Sequence, residues 1–150
     1  MTHRKFLSQL AHERIHDAIH DAERKTSGEI RVMVSHRRAP DPVVAAQQAF
    51  LRLGMQQTKH RNAVLIFLAP RSRTFAVVGD EAVHARCGDE FWQELAGAMS
   101  GHFKRGAFTD GVLHGISRAG ELLAAHFPRE LDDHNELPDD VIEDGPGTMT

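Results

Sequence analysis

Three features of the sequence predict an α/β fold, a three-layer α/β/α sandwich around a small mixed sheet. The first is the unbroken apolar run from Ala63 to Ala69, which suits a strand covered on both faces. The second is the short turn after that run. Pro70, Arg71, Ser72 and Arg73 leave no room for a crossover, so the next strand, 74–79, returns antiparallel as a hairpin. The third is an alternating segment, Glu29 to Ser35, separated from the apolar run by a helical pattern. Strand, helix and strand make one βαβ unit, with parallel strands and a right-handed crossover.

The remaining elements can be taken in chain order. Residues 4–25 read as one helix, with Leu7, Leu10, Ala11, Ile15, Ala18, Ile19 and Ala22 on a core stripe at three- and four-residue spacing. Thr26, Ser27 and Gly28 end it in a turn. In the first strand Ile30, Val32 and Val34 alternate with Glu29, Arg31 and Met33, so a half-exposed strand is expected. Asp41 is placed to cap a helix that opens on Pro42 and runs to about Leu53, with Val43, Ala46, Phe50 and Leu53 inward and Gly54 as its stop. After the hairpin, Asp80 caps a short helical turn at 81–86 that stops near Gly88. Asp89 opens a helix to about Ser100 carrying Phe91, Trp92, Leu95 and Met99. The last helix runs from about Thr109 to Phe127 with Val112, Leu113, Ile116, Leu122 and Leu123, and Gly111 and Gly115 are spaced for close packing.

The chain of 150 residues is long enough for one domain with a full core. That domain is assigned to 1–140, with 141–150 as a flexible acidic tail. A single cysteine, Cys87, precludes an internal disulfide and a thiolate metal cage. The first ten residues lack an apolar signal-peptide core, and no stretch approaches the roughly 20 apolar residues of a membrane span. A cytoplasmic location without a membrane span is therefore expected. The net charge of −3 is unevenly spread. All eight residues Glu130, Asp132, Asp133, Glu136, Asp139, Asp140, Glu143 and Asp144 lie beyond the last Arg or Lys, which leaves residues 1–129 with a balance of +5. The acidic end is either a solvated tail or a segment that folds back on the basic body, where Leu131, Leu137, Pro138, Val141 and Ile142 would anchor it.

Several motifs can be set aside. His12, Glu13 and His16 match H-E-x-x-H, the helix of zinc peptidases. With 11 histidines such a match arises easily, Arg14 puts a cation inside it, and the helical angle turns His12, His16 and His20 off the core stripe toward solvent. A zinc enzyme is not expected. Cys87 lacks the downstream arginine of a phosphatase loop and reads as a small filler. No phosphate loop or dinucleotide glycine pattern occurs, so no nucleotide cofactor is expected. Basic residues are scattered among eight Phe and one Trp, which gives no nucleic-acid surface.

The topology points elsewhere. Strand one begins at Glu29, strand two begins after Arg61 and Asn62, and strand three ends at Gly79 and Asp80. The three segments share one rim, with Thr58 just upstream. Carboxylates, an amide and hydroxyls suit a hard cation, Ca²⁺ or Mg²⁺, with Asp80 as the metal ligand and Glu29, Thr58 and Asn62 around it. Arg61 with the backbone N–H groups beyond Gly79 could instead hold an anion. The structural alternative is Asp80 as a plain helix cap, Asn62 as a turn bridge, and Arg61 paired with Glu29 or the acidic tail. Asp133, Asn135 and Glu136 supply further oxygens that could complete the site or pair with Arg61.

The runs Thr26 to Ile30, Thr58 to Ile66, Phe75 to Asp80 and Asp133 to Pro138 together resemble the TPM domain family, that of the thylakoid lumen acid phosphatase and the photosystem II repair protein. The similarity covers about residues 5–140. It implies a Rossmann-like α/β/α sandwich, divalent-cation binding and, as in some plant members, phosphatase activity. Family members often carry a signal peptide and a membrane anchor, so this chain reads as a stand-alone version. No standard phosphatase nucleophile pattern is visible. The expected function is a divalent-cation-linked binding or accessory module that engages a protein partner, such as a membrane complex. The alternative is a metal-assisted acid phosphatase on phosphate monoesters, with Glu29 and Asp80 on the metal and Arg61 on the phosphate.

Overall fold

The computed structural model describes residues 2–129 and 141–144. Among the described residues five helices, α1 (His3–Ser8), α2 (His12–Glu23), α3 (Pro42–Arg52), α4 (Glu81–Lys104) and α5 (Phe108–His126), surround four strands, β1 (Glu29–Ser35), β2 (Ala63–Ala69), β3 (Thr74–Gly79) and β4 (Ile142–Asp144). The sheet order is β3-β2-β1-β4. β1 and β2 are parallel, with Glu29 opposite Ala63 and Val34 opposite Leu68. β2 and β3 form the expected antiparallel hairpin, with Val64 opposite Gly79 and Ala69 opposite Thr74.

Strand alternation divides the core in two. Ile30, Val32 and Val34 with Val64, Ile66 and Leu68 face one layer, built from α1, α2, α4 and α5. Met33, Leu65 and Phe67 face the other, where Ala46, Ala49 and Phe50 of α3 and Met55 of the following 3-10 turn cover them. Every residue of β2 is buried, as its unbroken apolar composition requires. The outcome is the three-layer α/β sandwich with a mixed sheet, one crossover and one hairpin.

Four expectations need correction. The segment 4–25 is two helices, because the chain breaks at Gln9–Ala11. There the Ala11 N–H leaves the helix to bond Thr109 Oγ1 at 3.1 Å, and His12 Nε2 donates to the Leu7 carbonyl at 2.9 Å. β1 is buried at all seven positions instead of half-exposed, since it is an interior strand with helices on both faces. Val43 is 50% exposed, because Ala46, Ala49 and Phe50 form the inward face of α3 and Val43 lies off it. Finally, β4 falls within the segment assigned to the tail. Ile142 and Glu143 stand opposite Met33 and Val34, parallel to β1.

The helix signals otherwise hold. Asp41 caps α3 through Val44 N–H, and Gly54 stops it at φ 71°. α4 runs from Glu81 to Lys104 but is interrupted at Gly88, where φ is 69°. Gly111 and Gly115 do bring α5 close to α4. A methyl group on Gly111 would sit 2.5 Å from the Phe103 ring, and one on Gly115 would sit 2.8 Å from Met99 Sδ.

Candidate functional site

The rim at the amino ends of β1 and β2 is built as the topology requires. Thr26 starts it. Its hydroxyl donates to the Phe127 carbonyl and accepts the Gly28 N–H at 3.0 Å, which ties the α2–β1 turn to the end of α5. Gly28 is needed there because an added methyl would meet Leu123 at 2.9 Å and the Asn62 carbonyl at 3.0 Å. Asn62 is fully buried and donates from Nδ2 to Ser27 Oγ at 3.1 Å, bridging the starts of the two parallel strands.

Arg61 lies beside it in left-handed backbone conformation, φ 52°, which is unusual for a residue with a Cβ. The twist turns its carbonyl to accept the Ala82 N–H at 3.3 Å. Its guanidinium meets Asp80 in a two-point contact, Nε to Oδ2 at 2.8 Å and Nη2 to Oδ1 at 3.0 Å. Glu81 approaches the same guanidinium at 3.5 Å. Asp80 Oδ1 also accepts the Glu81 N–H at 2.8 Å and so caps α4. The hydrogen bonds that Arg61 donates to Asp80 hold the guanidinium pKa above its ordinary value. Both Asp80 oxygens are therefore engaged by donors.

These contacts give both residues structural partners. Arg61 pairs with Asp80 and Glu81, and the expected pairing with Glu29 gives way because Asp80 lies across the hairpin end at bonding distance. Asp80 serves as helix cap and arginine partner, and a cation there would compete with a guanidinium already in place. Two further side-chain oxygens make no such contact. Thr58 Oγ1 and Asn62 Oδ1 are buried and accept no hydrogen bond from any described residue. Glu29, 2% exposed, begins β1 at the same rim. An amide carbonyl, a hydroxyl and a carboxylate are oxygen donors of the types that hold hard cations, as is the Asp80 carboxylate that Arg61 engages. Among the described residues no three His, Cys, Asp or Glu side chains gather into a metal-ready group. Asp133, Asn135 and Glu136 lie outside the described residues.

Two charged residues at this rim escaped the sequence analysis. Glu23, 1% exposed, accepts the Ile30 N–H on Oε2 at 2.8 Å, closing the stretch of β1 that β4 does not pair. Its backbone carbonyl accepts from Arg129 Nη1 at 2.9 Å. Arg31, 8% exposed, lies in the field of Glu29 and Glu23; burial lowers its pKa while the two carboxylates oppose that shift. Glu23 had a signal, since it follows Ile15 and Ile19 at four-residue spacing and so occupies a core phase of α2. His12, His16 and His20 are all exposed.

A mixed four-stranded sheet with one crossover, one hairpin and a capped arginine–aspartate rim defines the class, a small α/β sandwich. The chain belongs to the TPM domain family, whose family model matches residues 1–122. Among solved structures it is similar to the BA42 protein of the psychrophilic bacterium Bizionia argentinensis, at 39% identity over 88% of this chain and 91% of that one, with a TM-score of 0.80. Two more distant structures share the fold. The N-terminal domain of the cg2496 protein of Corynebacterium glutamicum is 19% identical over 83% of this chain and 80% of that one, TM-score 0.59. The N-terminal domain of a P. gingivalis protein is 18% identical over 85% of this chain and 80% of that one, TM-score 0.57. A comparison with curated proteins finds no match. Among the described residues no helix is long and apolar enough to cross a membrane.

Proposed function

We propose that this TPM domain is a binding or accessory module whose amino-end rim takes up a divalent cation, Ca²⁺ or Mg²⁺, and engages a protein partner there. The observation that carries this reading is the pair of buried oxygens, Asn62 Oδ1 and Thr58 Oγ1, that no described donor satisfies at a rim shared with Glu29. An unsatisfied buried acceptor costs about 1–3 kcal/mol, and a cation would offset that. A single carboxylate among neutral oxygens makes a weak site, with a dissociation constant on the order of 10⁻⁴–10⁻³ M. The phosphatase alternative draws less support, because the guanidinium assigned to phosphate, Arg61, is held by Asp80 and Glu81.

Calorimetric titration with CaCl₂ and MgCl₂ tests the proposal. The expected result is weak, saturable heat that Asn62→Ala and Glu29→Gln abolish and Asp80→Asn leaves. No heat from the native protein, or equal heat from Asn62→Ala, removes the cation from the reading. An aryl phosphate assay with Arg61→Ala as control tests the alternative, and a turnover that this variant loses would restore it.

A further inference from the structure

A second site lies at the opposite end of the sheet. A cavity of about 510 Å³ opens where the β2–β3 turn, α1 and the α4–α5 turn converge. This is the carboxyl end of the parallel strands, the end at which open α/β sheets generally hold their ligands. Its volume falls within the roughly 300–1,000 Å³ of small-molecule pockets. Four phenyl rings wall it. Phe6 and Phe108 meet at a tilt with centroids 4.9 Å apart, Phe75 and Phe103 meet edge-on at 4.9 Å, and Phe103 and Phe108 at 6.3 Å link the two pairs. Phe75, Phe103 and Phe108 are only half-buried, so the wall presents apolar surface that the described residues leave uncovered.

Two cations, Arg73 and Lys104, line the same cavity. Neither side chain bonds or pairs with any described residue. Arg73 carries a further mark. It sits in left-handed conformation, φ 55°, at a hairpin-turn position that glycine or asparagine adopts with less strain. Arg61 and Arg73 are the described non-glycine residues with positive φ, one at each end of the hairpin. Arg61 holds Asp80 in return for its strain. Arg73 has the same strain, the same guanidinium and no described acid, and it borders an aromatic cavity. Strain retained without an internal partner points to a role in binding.

We propose that this cavity binds a small amphipathic anion, an alkyl or aryl carboxylate whose apolar part lies among the phenyl rings and whose head group Arg73 and Lys104 hold at the mouth. The site is separate from the amino-end rim and does not depend on the cation reading.

The test uses decanoate and its uncharged counterpart decanol as probes of the native protein, followed by amide shifts in nitrogen-edited NMR and by displacement of the fluorescent aryl sulfonate ANS. Decanoate is expected to bind one to one, to move amides confined to 68–75 and 100–108, and to displace ANS more effectively than decanol. Arg73→Gly relieves the backbone strain and should keep the melting temperature at or above the native value while weakening decanoate about five-fold or more; Lys104→Ala should weaken it similarly. Arg73→Lys, which preserves the charge but not the planar fork, should bind decanoate more tightly than Arg73→Gly. The proposal is overturned by equal binding of decanoate and decanol, by unchanged affinity in both Arg73→Gly and Lys104→Ala, by shifts spread over the surface without saturation, or by a stable dimer that occludes the cavity and does not respond to decanoate.

Discussion

Asp80 shows how much one side chain can organise. Its carboxylate receives two guanidinium N–H groups and the first N–H of α4, while its backbone N–H bonds the Ala63 carbonyl at 2.9 Å. Asp80→Ala removes the cap and is expected to cost about 1–2 kcal/mol in urea unfolding; Asp80→Asn keeps an oxygen at the cap and should lose less. If the two variants unfold alike, the cap is not what Asp80 contributes. Cys87 gives a pH-dependent prediction. Burial pushes its thiol above the ordinary value, with the negative field of Asp89 adding to the shift. The folded state therefore holds its proton more tightly than the unfolded state. That contribution to stability is present below the unfolded thiol pKa and is lost as pH rises through the higher folded value. Iodoacetamide alkylation of the native protein should accordingly reach half its maximal rate above the roughly 8.5 of a free thiol, and should shift down in urea.

At the scale of elements, the α4–α5 pair and the β1 edge are the places where small changes carry furthest. Gly111→Ala would drive a methyl into the Phe103 ring, and a destabilisation of about 1–3 kcal/mol is expected. Gly115→Ala meets the flexible Met99 side chain and should cost less. Urea midpoints of the two variants decide this ordering. On β1, Glu23 supplies the acceptor for Ile30 N–H on the side away from β2, where β4 does not reach. Glu23→Ala leaves that donor unsatisfied and strips Arg31 of a neighbouring charge, a loss of about 2–3 kcal/mol. Hydrogen exchange should show faster loss of protection at Ile30 in this variant, while the amides of β2 hold theirs.

For the molecule as a whole, the sheet separates two polar ends. The amino rim carries Asn62, Thr58 and Glu29; the carboxyl end carries the phenyl-walled cavity with Arg73 and Lys104. β2 and β3, with a buried β2, stand between them as a paired hairpin. The two sites should then be energetically independent. Saturating CaCl₂ is expected to leave decanoate affinity within about two-fold, since sites joined only by a packed sheet without a second arrangement have no means of coupling. A larger change would mean that the hairpin itself shifts on binding.

Much of this architecture was legible in the residues. The apolar run 63–69, the four-residue turn and the strand–helix–strand order determine the hairpin, the crossover and the rim where Arg61, Asn62 and Asp80 meet, because turn length and pleat leave few alternatives. The TPM resemblance was equally readable from local runs. What the sequence could not decide is how groups far apart in the chain share space. Thr109 breaks the first helical segment from 98 residues away. Ile142 and Glu143 pair with β1 from a stretch whose charge suggested solvent. Arg31 is buried although alternation assigned it outward. The cavity exists only because α1, the β2–β3 turn and the α4–α5 turn bring Phe6, Phe75, Phe103 and Phe108 together. Periodicity records which face of an element is apolar; which neighbour covers that face, and what space is left between them, is decided only by tertiary packing.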